Sequence, residues 1–104
     1  MLYNVKARFD DSKAKNFYLK LTDGTIVSQK EDGFEIVASM ERARIVRDGY
    51  VCWSETCFCP TPLAHELETV YEDFFTELET ELTDKPSIIE GQPFMDYLLE
   101  HQTE

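Results

Sequence analysis

The sequence lacks an apolar run that approaches the ~20 residues of a membrane-spanning helix, which excludes such a span. Charged residues interrupt the first positions, so we expect no secretory signal there. Glycine and proline are scarce, with four of each in 104 residues, and the isolated glycines exclude a glycine-rich phosphate loop. No G-x-S-x-G motif or ordered Ser-His-Asp set is present either. These absences favour a protein without catalytic activity, although they leave that question open.

Positive charge is also scarce. The chain has 10 Lys and Arg against 21 Asp and Glu, and residues 51–104 contain a single basic residue, Lys85. Such a chain repels phosphate backbones, so we expect no nucleic-acid partner. We interpret the acidic second half as a solvated surface, with a basic protein partner as the alternative. Because 42% of the residues are hydrophobic, we expect one folded domain over residues 1–104.

The three cysteines are an odd number for a disulfide framework. With no export signal expected, Cys52, Cys57 and Cys59 are most simply reduced thiols. The sequence therefore predicts a cytoplasmic protein.

Alternation over residues 2–9 predicts a half-buried strand, with Tyr3 and Phe9 on the inner face. Asp11 or Ser12 can cap a helix that ends near Gly24. Residues 25–40 fit both helical and strand spacing, and we expect one or two helical turns followed by a strand.

Asp48-Gly49 predicts a hairpin with a two-residue loop, because both positions of a type I′ turn need positive φ. That loop length would set Ile45 opposite Cys52 and Arg44 opposite Trp53. One face would then hold small residues, and the other would hold Trp53 beside Arg44.

After Thr61 and Pro62, which suit a helix start, residues 74–83 alternate strictly but also continue a helical spacing. A short helix with Phe94 and Leu98 ends the chain. If residues 74–83 form a strand, the order is βαββαβ plus a C-terminal helix. We therefore predict an α+β fold, a ferredoxin-like sandwich with an antiparallel sheet and helices on one face.

The bare face of such a sheet is the first candidate site. In the predicted register it carries a basic and aromatic set, namely Lys6, Arg8, Arg42, Arg44 and Trp53. Such a face suits a small anionic ligand or a second copy of the chain. We therefore expect a binding or regulatory module that forms a homodimer through this face; the alternative is a monomer whose Trp53 is covered by the C-terminal segment.

The second candidate site is a possible metal site at the end of the predicted hairpin. Strand parity aligns Glu55, Cys57 and Cys59, and the next helix begins near His65 and Glu66. Thiolate, imidazole and carboxylate groups are the usual zinc ligands, so Cys57, Cys59, His65 and Glu66 can hold zinc. The C-x-C spacing is not that of common structural zinc sites, and the alternative is that the cysteines are buried packing residues. We expect no cofactor, with zinc as the alternative, and the alternative function is metal binding or thiol redox chemistry.

Three stretches of the sequence resemble a small family of uncharacterised bacterial proteins. They are Thr22-Asp23-Gly24-Thr25-Ile26, Glu35-Ile36-Val37-x-Ser39-Met40-x-Arg42-Ala43, and Trp53-Ser54-Glu55-x-Cys57-x-Cys59 through Pro62-Leu63-x-His65-Glu66. The similarity covers most of the chain. It implies a bacterial, cytosolic protein and supplies no activity, cofactor or site residue.

Overall fold

The chain forms a five-stranded antiparallel sheet and four α-helices within the residues that the computed structural model describes, which are 1–29, 32–86 and 89–102. The strands are β1 (Leu2–Phe9), β2 (Arg44–Ile45), β3 (Tyr50–Thr56), β4 (Phe75–Thr83) and β5 (Gln92–Pro93). The helices are α1 (Ala14–Thr22), α2 (Gly33–Arg42), α3 (Ala64–Thr69) and α4 (Phe94–Glu100). The predicted α+β class is therefore confirmed.

The strand order is β4-β1-β3-β2-β5, which differs from the four-stranded sandwich that the sequence predicted. A fifth strand is added at the edge beside β2. Two helices, α1 and α2, separate β1 from β2, where the βαββαβ order has one. The ambiguous segment resolves into the ten-residue helix α2, because Ile36 and Met40, one turn apart, share a buried face.

The alternation of β1 is the clearest link between sequence and fold. Tyr3, Val5, Ala7 and Phe9 are buried, while Lys6 on the other face is exposed. β1 lies between β3 and β4, so its inner residues meet both neighbours and the helices that cover this face. The sheet therefore packs its inner face against the helices, while its outer face, here called the bare face, carries the exposed Lys6 and the half-buried Asn4 and Cys52.

Aromatic rings join the helices to the sheet. Phe9 of β1 lies 5.0 Å from Phe94 of α4 and 5.9 Å from Phe17 of α1, measured between ring centroids. Phe17 also stacks on Phe74 at 4.2 Å. Rings in these tilted and stacked arrangements contribute beyond their buried area, so α1 and α4 are fixed on one side of β1.

The predicted hairpin exists, but its loop has three residues rather than two. Val46 N–H donates to the Tyr50 carbonyl at 2.8 Å, which places Arg47, Asp48 and Gly49 in the loop. Asp48 and Gly49 have the expected positive φ values, 64° and 78°. The extra residue shifts the register by one.

The shift overturns the predicted pairing of β2 with β3. Arg44 is paired with Cys52, and Ile45 with Val51. Because side chains alternate along a strand, this shift moves each residue of β3 to the face opposite to the predicted one. Trp53 therefore points into the core and is 1% exposed.

The strand alternative for residues 74–83 is confirmed by β4, while the helix before it is shorter than expected. α3 begins at Ala64 rather than Pro62, and Leu63 before it takes a left-handed conformation. β4 pairs with β1 and contains a register shift near Glu77, whose φ is 54°. The shift is a β-bulge that sets Glu77 beside Arg8 on the bare face, where they form a 2.8 Å ion pair.

The longest described helix, α2, has ten residues, about half the length that a bilayer crossing needs. No helix within the described part of the chain can span a membrane.

Gly33, at the start of α2, is required for close backbone contact. A Cβ there would lie 2.1 Å from the carbonyl oxygen of Ile26, so the backbone would have to move. We expect Gly33→Ala to lower the free energy of unfolding by about 3 kcal/mol, measured by urea denaturation.

Gly24→Ala is the matched control, because Gly24 has open space around it and a φ of +93°. This variant should lower the free energy of unfolding by only about 1 kcal/mol, through backbone strain. Equal losses for the two variants would contradict the steric explanation.

Candidate functional site

The candidate site lies where β3 ends and α3 begins. Within β3, alternation places Trp53 and Glu55 on the buried face, and Cys57 follows on the same side. Glu55 is 0% exposed and Cys57 is 2% exposed. Buried carboxyl groups are rare and need specific partners, so this arrangement marks the site more strongly than the cysteines alone.

Glu66, on α3, brings the two cysteines together. Its side chain is fully buried, and its Oε1 atom accepts from Cys57 Sγ at 3.6 Å and from Cys59 Sγ at 3.5 Å. The backbone N–H of Cys59 donates to Cys57 Sγ at 3.3 Å. Both sulfur atoms therefore converge on one carboxylate oxygen.

These three side chains have the spacing of metal ligands. One ligand atom from each of Cys57, Cys59 and Glu66 lies within 4.8 Å of the other two. With Zn–S of about 2.3 Å and Zn–O of about 2.0 Å, a tetrahedral zinc site needs sulfur–oxygen separations of about 3.5 Å. The observed separations of 3.5 and 3.6 Å match that requirement.

Glu55 lies behind Glu66 and is held by two aromatic side chains. Its Oε1 atom accepts from Trp53 Nε1 at 2.9 Å and from the Tyr71 hydroxyl at 2.6 Å. Glu55 Oε2 and Glu66 Oε2 are buried without a hydrogen-bond donor among the described residues. A proton between the two carboxyl groups, or a bound cation, would satisfy these atoms.

Burial controls the protonation of this site. It raises the pKa of Glu55 to about 8, and the neighbouring Glu66 charge adds to the rise against the hydrogen bonds from Tyr71 and Trp53. Burial likewise raises the pKa of the Cys57 thiol to about 12. Burial therefore favours the protonated, neutral form of Glu55.

A groove connects the cysteines to the surface. Its volume is about 470 Å³, and it is lined by Asp32, Glu35, Thr56, Cys57, Phe58, Cys59 and Pro60. Cys59 is half-buried, and the Phe58 side chain between the two cysteines is 86% exposed. Solvent and small molecules can therefore approach Cys59, whereas Cys57 is covered.

His65, predicted as a fourth ligand, is directed elsewhere. Its Nδ1 atom contacts Asp32 Oδ2. Consecutive residues on a helix point about 100° apart, so the inward direction of Glu66 turns His65 aside. Within the described residues, the group of convergent ligand atoms contains Cys57, Cys59 and Glu66 without His65.

The five residues predicted to share the bare sheet face are separated. Lys6 and Arg8 lie on that face, as does Arg44 through its pairing with Cys52. Arg42 ends α2 and donates to the Ser54 carbonyl at 2.9 Å. Trp53 is in the core, so it cannot form part of a dimer contact on the bare face.

The basic residues of this face already have partners. Arg8 pairs with Glu77, and Lys6 lies opposite Glu79 on β4. Lys6 and Arg8 also lie over the Tyr50 ring, at 4.5 and 4.4 Å from its centroid. The glutamates of β4 offset the positive charge that an anionic ligand would need. Self-association and anion binding at this face stay predictions.

Sequence reasoning did not identify Tyr71 as a site residue, although its hydroxyl donates to Glu55. It aligned Glu55 with the two cysteines at the strand end but did not include this residue among the predicted metal ligands. The signal was in the sequence, because Trp53, Glu55 and Cys57 share one parity. The wrong hairpin register placed that parity on the bare face.

Comparison of the chain with protein-family models, with curated proteins and with solved structures finds no match. The resemblance to a bacterial family stays a prediction, and the function has to be argued from the site itself.

The raised pKa of Glu55 makes a prediction about stability. Between the ordinary pKa of Glu, about 4.5, and the folded value of about 8, the native protein binds a proton that the unfolded chain has lost. The free energy of unfolding of metal-free protein should therefore fall as pH rises from 5 to 8, by a few kcal/mol from this group. Urea denaturation at several pH values measures it.

Glu55→Gln should flatten this dependence, because glutamine has the same shape and does not titrate. Asp10, Asp23 and Glu77 have lowered pKa values, so these groups do not contribute to the change between pH 5 and pH 8. Identical slopes for the variant and the wild type would show that Glu55 is not the group responsible.

Proposed function

We propose that this protein binds a divalent zinc ion through Cys57, Cys59 and Glu66. The observation that supports the proposal most directly is the convergence of both cysteine sulfurs on Glu66 Oε1 at zinc-compatible distances. The Glu66 Oε2 atom, which is buried without a hydrogen-bond partner among the described residues, is a second observation. A cation at this point would remove the cost of leaving that oxygen unsatisfied.

The ligand set favours zinc over calcium or magnesium. Calcium and magnesium take oxygen ligands, whereas two thiolates select softer ions. Among the softer ions, zinc does not change its oxidation state, and it accepts sulfur and oxygen ligands together in a tetrahedral geometry. The three side chains leave one position of the tetrahedron to a further ligand, and the groove beside Cys59 lets water enter it.

Glu55 acts as a positioning residue in this proposal. Trp53 and Tyr71 fix its carboxyl group, which interacts electrostatically with Glu66. Groups that hold a ligand in its binding orientation commonly change metal affinity by about 10- to 100-fold when removed. The buried side chains of Trp53 and Glu55 are placed to orient Glu66 in this way.

The test is a zinc titration of protein that was first treated with a chelator and a reductant. We expect one zinc per chain by isothermal calorimetry and native mass spectrometry. Cobalt in place of zinc should give a thiolate charge-transfer band in the near ultraviolet. Cys57→Ser, Cys59→Ser and Glu66→Gln should each weaken zinc binding by at least about 100-fold.

Matched controls are available for each ligand. Cys52→Ser changes the third cysteine, which lies on the bare face, and Glu68→Gln changes an exposed carboxylate of α3. Both should bind zinc like the wild type. A wild type that takes up no zinc, or a control that loses binding as fully as the ligand variants, would overturn the proposal.

We further propose that the fold is an elaborated ferredoxin-like sandwich. The four strands β4, β1, β3 and β2 are neighbours in that order, and each adjacent pair is antiparallel. This arrangement supports a split βαβ core to which α2 and β5 have been added.

A further inference from the structure

We propose that Cys57 and Cys59 form a reversible disulfide, so that the metal site is also a thiol redox switch that releases zinc. The inference rests on the zinc site proposed above and adds a regulation to it. Its basis is the close approach of two thiols that differ in their access to solvent.

The two sulfur atoms are already held near each other. They share Glu66 Oε1 as acceptor, and their positions lie within 4.8 Å. The Cys59 N–H bond to Cys57 Sγ turns the chain so that Cys59 folds back on Cys57. A disulfide needs a sulfur–sulfur distance of about 2 Å, which a small movement can supply.

The segment that must move is Cys59 rather than Cys57. Cys57 is fixed by its backbone N–H, which donates to the Met1 carbonyl at 2.8 Å. β3 ends at Thr56, so Cys59 is outside the sheet ladder. Phe58, almost fully exposed, has little packing to lose when this short segment shifts.

Access of solvent to each thiol decides which cysteine reacts first with an incoming disulfide. Cys59 lies at the groove and is half-buried, while Cys57 is covered. An incoming disulfide such as glutathione disulfide therefore meets Cys59 first. Cys52 does not compete within the molecule, because it lies on the opposite face of the sheet.

The chemistry is thiol–disulfide exchange. The Cys59 thiolate attacks one sulfur of glutathione disulfide, which forms a mixed disulfide and releases one glutathione thiolate. Cys57 then attacks Cys59 Sγ and gives up its thiol proton, which forms the Cys57–Cys59 bond and releases the second glutathione as a thiol. The protein loses two electrons and two protons, and glutathione disulfide becomes two glutathione thiols.

Oxidation removes two of the three zinc ligands at once, because a disulfide sulfur is no longer a thiolate. Glu66 alone cannot retain the ion. A reductant restores both thiols and with them the binding site. The site would therefore hold zinc under reducing conditions and release it under oxidising ones.

The experiment treats zinc-free, reduced wild-type protein with glutathione disulfide and follows intact mass and zinc binding. We expect a product lighter by two hydrogens, with one of the three thiols remaining after denaturation. This product should show at least a 100-fold loss of zinc affinity, and dithiothreitol should restore full binding. No intramolecular disulfide under these conditions would overturn the inference.

Single variants test the order of attack. Cys57→Ser should accumulate one glutathione on Cys59, because the resolving thiol is missing. Cys59→Ser should acquire glutathione at position 57 at least tenfold more slowly, and Cys52→Ser should form the disulfide normally. Equal rates for the first two would contradict the assigned roles, and tryptophan fluorescence from Trp53 checks that each variant is folded.

The two proposals can fail separately. If the disulfide forms but the reduced protein binds no zinc, the metal site is wrong and the switch that depends on it is wrong as well, leaving only a dithiol. If the reduced protein binds zinc but the disulfide does not form, the metal site stands and the redox switch falls.

Discussion

The burial of two carboxyl groups, those of Glu55 and Glu66, in one polar centre is the constraint on which this structure depends. Neither acid has exposed surface, and the Glu66 charge adds to the raised pKa of Glu55, although either acid alone would be costly to bury. Trp53 and Tyr71 direct their polar hydrogens at Glu55, and two cysteines direct theirs at Glu66. The largest side chains of the core are thus organised around a polar centre, and the packing of α3 against β3 depends on how that centre is satisfied.

Much of the fold follows from local pattern, and the main error comes from one loop. The alternation of β1 predicted that strand and its buried face, whereas residues 74–83 fitted both a strand and a helix until their pairing with β1 decided for β4. Asp48-Gly49 located the hairpin correctly, but this dipeptide does not indicate that Arg47 also belongs to the loop. A single additional residue moved Trp53 from the bare face to the core. Register is a long-range property that is decided by which face the whole sheet buries.

The candidate site was predictable in its cysteines and Glu66, and less so in its remaining members. Nearness in sequence placed Cys57, Cys59, His65 and Glu66 together. Nearness could not say which of two consecutive helical residues turns inward, and the left-handed Leu63 that sets the start of α3 has no sequence signal. Tyr71 comes from a 3-10 turn that follows α3, where helical spacing no longer applies. Its contact with Glu55 depends on tertiary packing across sixteen positions of the chain.

The nine-residue strand β4 lies at the edge of the sheet, with one side of its backbone unpaired. Long edge strands invite pairing with the edge of another molecule, which leads to polymers. Here Glu77, Glu79 and Glu81 project from the strand at every second position, and the bulge at Glu77 twists it. Two such edges brought together would bring the like charges of residues 77–81 close to each other. The acidic second half of the chain therefore does more than favour hydration: it protects a fold with an open edge from fibrillar aggregation.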